Sequence, residues 1–409
     1  MESVPEIRKK LREKLHDARN DQKWNILGKK RATLAEEEVQ EEDISLTKLK
    51  EVCLHFKKSQ SVTLIQQIKR TVVKGDDFIQ VFLRVDGCLQ ILTKHLSGND
   101  TQLQLETAGC VTNLVTGSHK STFMVLKATA AYLITFLHGS NPLLQDQAAW
   151  ALGNMAADCQ QCRKYLKNQG LEAALVSLLT STHTSVVESC IFALSSYTKW
   201  KDVSIRNLVD LDLVKLISDI ITWPDIKPRI LTDFSEIMLR LGSEEGPWEL
   251  TSHWQLIGQT LAKRLNEVSD IDVTLAILRC LTNMVVGDVS DEAFYLPVHS
   301  CITKMLHSDV KLLRLECVRL LGNTVAKPNC PVFRLVELIN SVMVPMLNSH
   351  EEAKIQALFL LNIIANHRRE IAQTLVPQLL FESLNSIQQS PTSSSEVLIL
   401  ARMLTANLL

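Results

Sequence analysis

A helical segment recurs along the 409-residue chain at a nearly constant interval. Its fullest copy reads Asp146-Gln-Ala-Ala-Trp-Ala-Leu-Gly-Asn-Met-Ala-Ala-Asp158, and aligning the chain on the Asn of this copy reveals the others. The aligned position holds Asn113, Asn154, Ser196, Leu239, Asn283, Asn323, Asn362 and Asn407. Subtracting successive numbers gives intervals of 41, 42, 43, 44, 40, 39 and 45 residues. Such a unit cannot bury its apolar face alone, so neighbouring units must stack.

The length of this period predicts the architecture. Repeats of about 40–47 residues are typical of armadillo and HEAT arrays, which consist of stacked helices. The recurring segments, here called anchor helices, carry apolar residues at spacings of three and four, as helices do. Aromatic residues make up only 5% of the chain, which suits stacked helices better than a β-sandwich. We therefore predict an all-α, right-handed armadillo (ARM/HEAT-like) solenoid of about eight to nine repeats over residues 44–409.

The first 43 residues have a different composition. Residues 1–31 contain ten basic and five acidic residues, whereas residues 36–43 contain six acidic ones. Such a reversal of charge is typical of an interaction arm followed by a linker. Apolar residues at helical spacing (Ile7, Leu11 and Leu15) predict an amphipathic helix that docks on a partner. The alternative is a solvated helix without a partner.

Two segments resemble the importin-α branch of the armadillo proteins. One is the anchor Asp146–Asp158 followed by Cys162-Arg-Lys-Tyr165, and the other is Leu278-Arg-Cys-Leu-Thr-Asn-Met-Val-Val-Gly-Asp288. The resemblance implies a nuclear import adaptor of the cytoplasm and nucleus that binds basic signal-bearing cargo proteins in a concave groove. It also implies that the arm binds an importin-β-like carrier. The arm residues implied are Arg8, Lys9, Lys10, Arg12, Leu15, Arg19, Lys29, Lys30 and Arg31.

The resemblance also implies a set of peptide-binding side chains on the anchor helices. They are Asn113, Gln147, Trp150, Asn154, Asp158, Phe192, Arg279, Asn283, Glu316, Asn323 and Asn362. An amide can bond a peptide backbone, and an indole can hold the stem of a Lys or Arg. Structural roles remain open for the same residues: the Asn side chains can bond neighbouring helices, Trp150 can pack between repeats, and Asp158 can be a turn residue.

The aromatic half of this pattern is largely missing. Four residues before each aligned position, where the family repeats Trp, the chain holds Gly109, Trp150, Phe192, Ser235, Arg279, Arg319, Leu358 and Met403. We call these the Trp slots. Arg279 agrees with the resemblance, because the family also has Arg in that repeat, whereas Arg319 and Leu358 are losses, and the Arg at 319 would repel a basic peptide. The alternative function is therefore an armadillo scaffold for protein–protein interaction that has lost binding of classical signal peptides.

Other function classes find little support in the sequence. The net charge of −1 favours no nucleic-acid partner, no apolar run reaches the roughly 18 residues of a membrane span, and no catalytic motif or cofactor-binding motif occurs. The uneven spacing of the ten cysteines predicts free, mostly buried thiols. Cys159-x-x-Cys162 has no second pair at ligand spacing, so it predicts two helix-end cysteines and no metal site.

Overall fold

The computed structural model describes residues 44–243, 252–286, 298, 302, 305–306, 308–325, 343–367, 378–391 and 393–408. Regular structure in these ranges is helical throughout, without a strand, which confirms the predicted all-α solenoid class. None of the helices in these ranges is both long and apolar enough to span a membrane. The predicted arm, with its residues from Arg8 to Arg31, lies outside the described residues. The chain divides into two compact units between Val203 and Ser204.

Residues 44–203 of the first unit form ten α-helices. They are α1 (Leu46–Ser59), α2 (Val62–Val72), α3 (Asp76–Arg84), α4 (Cys88–Leu96), α5 (Thr101–Leu114), α6 (His119–Leu137), α7 (Pro142–Asp158), α8 (Gln160–Asn168), α9 (Leu171–Ser177) and α10 (Thr184–Thr198). The anchor helices α2, α5, α7 and α10 pack side by side, each against the next. The predicted anchors at Asn113 and Asn154 therefore are neighbouring layers of one stack.

Polar residues set where the anchor helices begin. The carboxylate of Asp100 accepts hydrogen bonds from the backbone N–H groups of the first turn of α5, and the amide oxygen of Asn141 does the same for α7. Pro142 then occupies the first turn of α7, where a missing N–H costs nothing. These caps satisfy N–H groups that a helix leaves unpaired. They therefore fix where α5 and α7 begin, whereas the N-cap residue of α10, His183, makes no such side-chain hydrogen bond.

Small residues allow the anchors to lie close together. Ala148, Ala151 and Gly153 of α7 are buried between neighbouring helices. A Cβ atom added at Gly153 would lie 2.7 Å from Cε1 of Phe192 in α10. A larger side chain at this position would therefore force the two anchors apart.

The second unit contains the remaining described helices. They are α11 (Arg206–Asp210), α12 (Leu213–Ile220), α13 (Pro228–Leu241), α14 (Ser252–Arg264), α15 (Ile271–Val286), α16 (Lys311–Val325), α17 (Val344–Leu347), α18 (Glu351–His367), α19 (Gln378–Gln389) and α20 (Ser395–Leu408). The anchor helices α13, α15, α16, α18 and α20 again pack in succession. Within each unit, the period of the sequence therefore corresponds to anchor helices that pack one against the next.

A buried arginine connects three segments of the first unit. Arg163 of α8 is 4% exposed and donates to both carboxylate oxygens of Asp202, from Nε at 2.9 Å and from Nη2 at 2.8 Å. Its Nη1 donates to the carbonyl of Ala156 at 2.9 Å, which satisfies the end of α7. The guanidinium also lies 5.1 Å from the ring centroid of Trp200. The Cys-Arg-x-Tyr motif therefore has a structural reason for its arginine.

Replacing Arg163 with Ala leaves the Asp202 carboxylate and the Ala156 carbonyl without their donor. We expect Arg163→Ala to lower the free energy of unfolding by about 3–5 kcal/mol, the usual cost of removing one partner of a buried ion pair. Urea unfolding followed by circular dichroism measures this change. Lys167→Ala is the matched control, because Lys167 is largely solvated and lies 3.7 Å from Glu172. Its expected effect is below about 1 kcal/mol, and equal effects of the two variants would contradict the assignment.

Candidate peptide-binding site

Helix α7 presents four of the predicted binding side chains. Gln147, Trp150, Asn154 and Asp158 follow one another at spacings of three and four residues, so they lie on successive turns of one face. Trp150 is half-buried, so part of its indole remains accessible to a ligand. The structure therefore places a flat apolar surface, two amides and a carboxylate in one row.

In the first unit the asparagine amides bond the preceding anchor. Nδ2 of Asn113 donates to the carbonyl of Lys69 at 3.0 Å, and Nδ2 of Asn154 donates to the carbonyl of Thr112 at 3.3 Å. Gln147 Nε2 also donates to the hydroxyl of Thr112, at 2.7 Å. The structural role left open by the sequence is therefore present. Oδ1 of Asn154 is buried and accepts no hydrogen bond from the described residues, so it is the atom left for a further donor.

The second unit repeats this arrangement. Nδ2 of Asn323 donates to the carbonyl of Thr282 at 3.0 Å. Nδ2 of Asn362 donates to the carbonyls of Leu358, at 2.9 Å, and of Leu400 in the following anchor, at 3.0 Å. Each amide thus joins two anchors or continues the helix in which it lies. The remaining predicted amide of this unit, that of Asn283, is half-buried beside Gly242.

The Trp slots of the first unit differ in what fills them. Gly109 leaves space that the stem of Lys69 occupies, because a Cβ at Gly109 would lie 3.1 Å from Cδ of Lys69. Phe192 is 8% exposed and its ring packs on Gly153, so it fills the layer between two anchors. Trp150 is thus the aromatic Trp-slot residue with an accessible ring in this unit.

Two Trp slots of the second unit carry positive charge. Arg279 and Arg319 are exposed, and both donate to Oε1 of the buried Glu316, from Nε at 3.1 Å and from Nη1 at 3.2 Å. One carboxylate faces two guanidinium groups, so this cluster is cationic. The neighbouring slots at Ser235 and Leu358 are buried. Predicted site residues Arg279 and Glu316 are therefore brought together, but in an arrangement that disfavours another cation.

Asp158 contacts more than the end of its own helix. Its side chain is 6% exposed, and Oδ2 lies 2.7 Å from Nδ1 of His119, whose side chain is 52% exposed. Sγ of Cys162 lies 3.7 Å from the same oxygen, and Sγ of Cys159 lies 3.4 Å from Sγ of Cys162. Burial first, and then the Asp158 carboxylate, raises the pKa of the Cys162 thiol.

The sequence did not predict that His119 belongs to this group. The His119 side chain is exposed, as is typical of a surface histidine, but it pairs with Asp158. His119 and Asp158 are separated by 39 residues, close to one repeat. Residues one period apart lie side by side in a stacked array, so the period itself is the signal that could have found this pair.

Comparison with known proteins adds sequence and structural relatives. Importin subunit alpha-9 from Arabidopsis thaliana is 25% identical over 288 residues, which cover 65% of this chain and 53% of that protein. Importin subunit alpha-6 from the same plant is 31% identical over 121 residues, which cover 28% of this chain and 22% of that protein. The chain thus spans little more than half of the length of the first relative and less of the second. No protein-family model matches the chain.

Solved structures share the fold. An engineered protein superposes with a TM-score of 0.70 at 22% identity and covers 88% of both chains. A designed armadillo repeat protein superposes with a TM-score of 0.51 at 14% identity, covering 59% of this chain and all of its own length, 100%. At these identities the likeness concerns the fold alone.

The stacked anchors and their period define an armadillo-repeat solenoid. The sequence is also similar to importin-α subunits, so the chain is an armadillo-repeat protein with likeness to them.

The close contact between Gly153 and Phe192 yields a packing prediction. In Gly153→Ala the new methyl group meets the Phe192 ring at 2.7 Å and Cα of Ala193 at 3.0 Å. We expect a loss of about 1–3 kcal/mol in the free energy of unfolding, as for other overpacked cores. Combining it with Phe192→Leu removes the ring contact, so the double variant should lose less than the sum of the single variants. Additive losses, measured by urea unfolding, would show that the two residues are not coupled.

Proposed function

We propose that the anchor surface of the first unit binds an extended basic peptide and that the protein acts as a nuclear import adaptor. The observation that carries this proposal is the row Gln147, Trp150, Asn154 and Asp158 on one face of α7. These four residue types provide the contacts that an extended lysine-rich segment requires. The sequence likeness to importin-α subunits supports the same conclusion.

The chemistry of this row suits a lysine or arginine side chain. The aliphatic stem packs on the accessible part of the Trp150 indole, a contact of about 0.5–2 kcal/mol. The Asp158 carboxylate attracts the cationic head of the lysine or arginine. To do so it gives up its hydrogen bond to His119. Oδ1 of Asn154 is a buried acceptor without a donor from the described residues, which is costly, so a side-chain shift that admits a backbone N–H of the peptide would satisfy it.

The second unit contributes differently. A basic peptide placed on Arg279 and Arg319 would meet two cations that share one carboxylate. We infer that basic cargo is held chiefly by the first unit, with Asn113 and Phe192 as the flanking positions. Retention of Asn283, Asn323 and Asn362 then serves contacts between anchors.

A second function is favoured by one observation. The Trp slots at Gly109, Ser235 and Leu358 are buried and offer no plate to a ligand. A chain that keeps the stack but lacks these plates can act as an armadillo scaffold for other proteins. The peptide titration described next separates the two functions.

Titration of a fluorescent lysine-rich signal peptide into the full chain tests the adaptor function. We expect Trp150→Ala to weaken binding by about 1–2 kcal/mol, or roughly five- to thirtyfold, because the indole contact is lost. Asp158→Asn should weaken peptide binding more at low salt than at high salt, because the contact is electrostatic. Fluorescence anisotropy measures both changes.

Trp223→Ala is the matched control for this titration. Trp223 is a half-buried tryptophan of the second unit that lies outside the anchor helices. Its replacement should leave peptide affinity unchanged. If the parent chain does not bind the peptide, or if Trp150→Ala and Trp223→Ala behave alike, the scaffold function replaces the adaptor function.

We propose that residues 1–31, which contain ten basic and five acidic residues, recruit an importin-β-like carrier. The protein would then move between cytoplasm and nucleus. Replacing Arg8, Lys9, Lys10 and Arg12 with Ala in the full chain should lower capture of importin-β in a pull-down at least tenfold, since each cationic contact is lost.

The acidic linker offers the control for the arm. Glu36, Glu37 and Glu38 replaced together with Ala should leave capture by the carrier unchanged or improve it. Equal capture of the parent chain and the basic-cluster variant would remove the carrier from the proposal while leaving peptide binding intact.

A further inference from the structure

We propose that His119, Asp158, Cys159 and Cys162 form a zinc-binding site. One ligand atom from each residue lies within 4.8 Å of all the others. The group combines two sulfur atoms, an imidazole and a carboxylate, which are the donor types that Zn²⁺ takes in proteins. This set of donors therefore indicates zinc as the bound ion.

The distances fit a tetrahedral ion. Zinc binds sulfur at about 2.3 Å and nitrogen or oxygen at about 2.0–2.1 Å, so ligand atoms on a tetrahedron lie roughly 3.3–3.8 Å apart. The two sulfur atoms lie 3.4 Å apart, and Sγ of Cys162 lies 3.7 Å from Oδ2 of Asp158. Sγ of Cys159 lies 4.0 Å from Nε2 of His119. Nδ1 of His119 lies 2.7 Å from Oδ2 of Asp158, closer than two ligands of one ion, so the exposed His119 ring must turn away from Asp158 to bind the metal.

Local structure holds both sulfur atoms on one side of a helix start. Cys159 is the N-cap of α8, and its Sγ accepts the backbone N–H of Cys162 at 3.3 Å. The two-residue spacing between the cysteines thus places them within a single turn. Cys162 and the neighbouring Arg163 are buried, whereas His119 is exposed. An ion would therefore enter the site from the side of His119.

Zinc binding changes the charge of this group. In the zinc-bound form both cysteines are thiolates, so they and the Asp158 carboxylate carry three negative charges, which the divalent ion reduces to one. Binding releases the protons of both thiols to solvent, so no oxidant or reductant takes part. His119 exchanges its hydrogen bond to Asp158 for the metal.

Two repeats must stack before the site exists. His119 begins α6, whereas the other three residues lie at the junction of α7 and α8, one repeat later. A bound ion therefore links neighbouring repeats within the first unit. It should raise the unfolding temperature, because the unfolded chain does not keep the four groups together.

Metal content of the full chain tests this proposal. The chain is purified under reducing conditions, loaded with Zn²⁺ or Co²⁺, and passed over a weak chelator. We expect one tightly held ion per chain and, with Co²⁺, the thiolate charge-transfer band and strong visible absorption of a tetrahedral site. Zinc should raise the unfolding temperature of the parent chain. No retained ion, or a six-coordinate cobalt spectrum, would overturn the site.

Variants distinguish this set of ligands from other metal-binding groups. His119→Gln should weaken zinc binding more than about 100-fold, beyond the 10- to 100-fold cost of losing a residue that only orients a ligand. Asp158→Asn should weaken it at least tenfold, and Cys159→Ser with Cys162→Ser should abolish the cobalt charge-transfer band. His183→Gln is the matched control, since His183 is an exposed histidine at the start of α10.

Each variant outcome bears on the proposal. Unchanged affinity in His119→Gln, or equal losses in His119→Gln and His183→Gln, would overturn it. A Cys159–Cys162 disulfide that persists in reducing buffer and excludes the ion would also overturn it. Because the readout is metal content, failure of peptide binding leaves this test unaffected.

Discussion

Close stacking of the anchor helices is the constraint on which the rest of the structure depends. Small residues such as Ala148, Ala151 and Gly153 let neighbouring anchors approach until side chains of one layer touch the backbone of the next. Only at this separation can an asparagine amide reach a carbonyl one repeat away, as Asn154 reaches Thr112. The same closeness leaves one face of each anchor for solvent or a ligand.

The asparagine side chains of the anchor helices therefore have two uses that compete for the same atoms. Their Nδ2 groups bond neighbouring anchors, which satisfies a partly buried donor and a partly buried carbonyl together. The oxygen of Asn154 is the part left for a ligand. An asparagine at this position is thus compatible with both a binding protein and a scaffold, and the Trp slots carry more information about which of the two a repeat supports.

The Trp slots of the two units differ in the charges that surround them. Trp150 has a carboxylate, Asp158, two turns along its helix, whereas Arg279 and Arg319 share Glu316. A basic segment is attracted in the first case and repelled in the second. The zinc site proposed around Asp158 lies at the end of the attractive row, where the repeat brings His119 beside that carboxylate. A bound ion would occupy the carboxylate, so Asp158 pairs with a peptide cation in the metal-free chain only.

The sequence alone determined the helical class, the repeat and the row on α7, because period and spacing are local properties of the chain. It also located the Trp slots, but not how deeply their side chains lie, since burial depends on the neighbouring layer; Phe192, which packs on Gly153, is an example. Only the tertiary structure placed Glu316 between two arginines and His119 beside Cys159 and Cys162. These groups come from separate elements and meet only when the repeats stack, so no motif within one segment could reveal them.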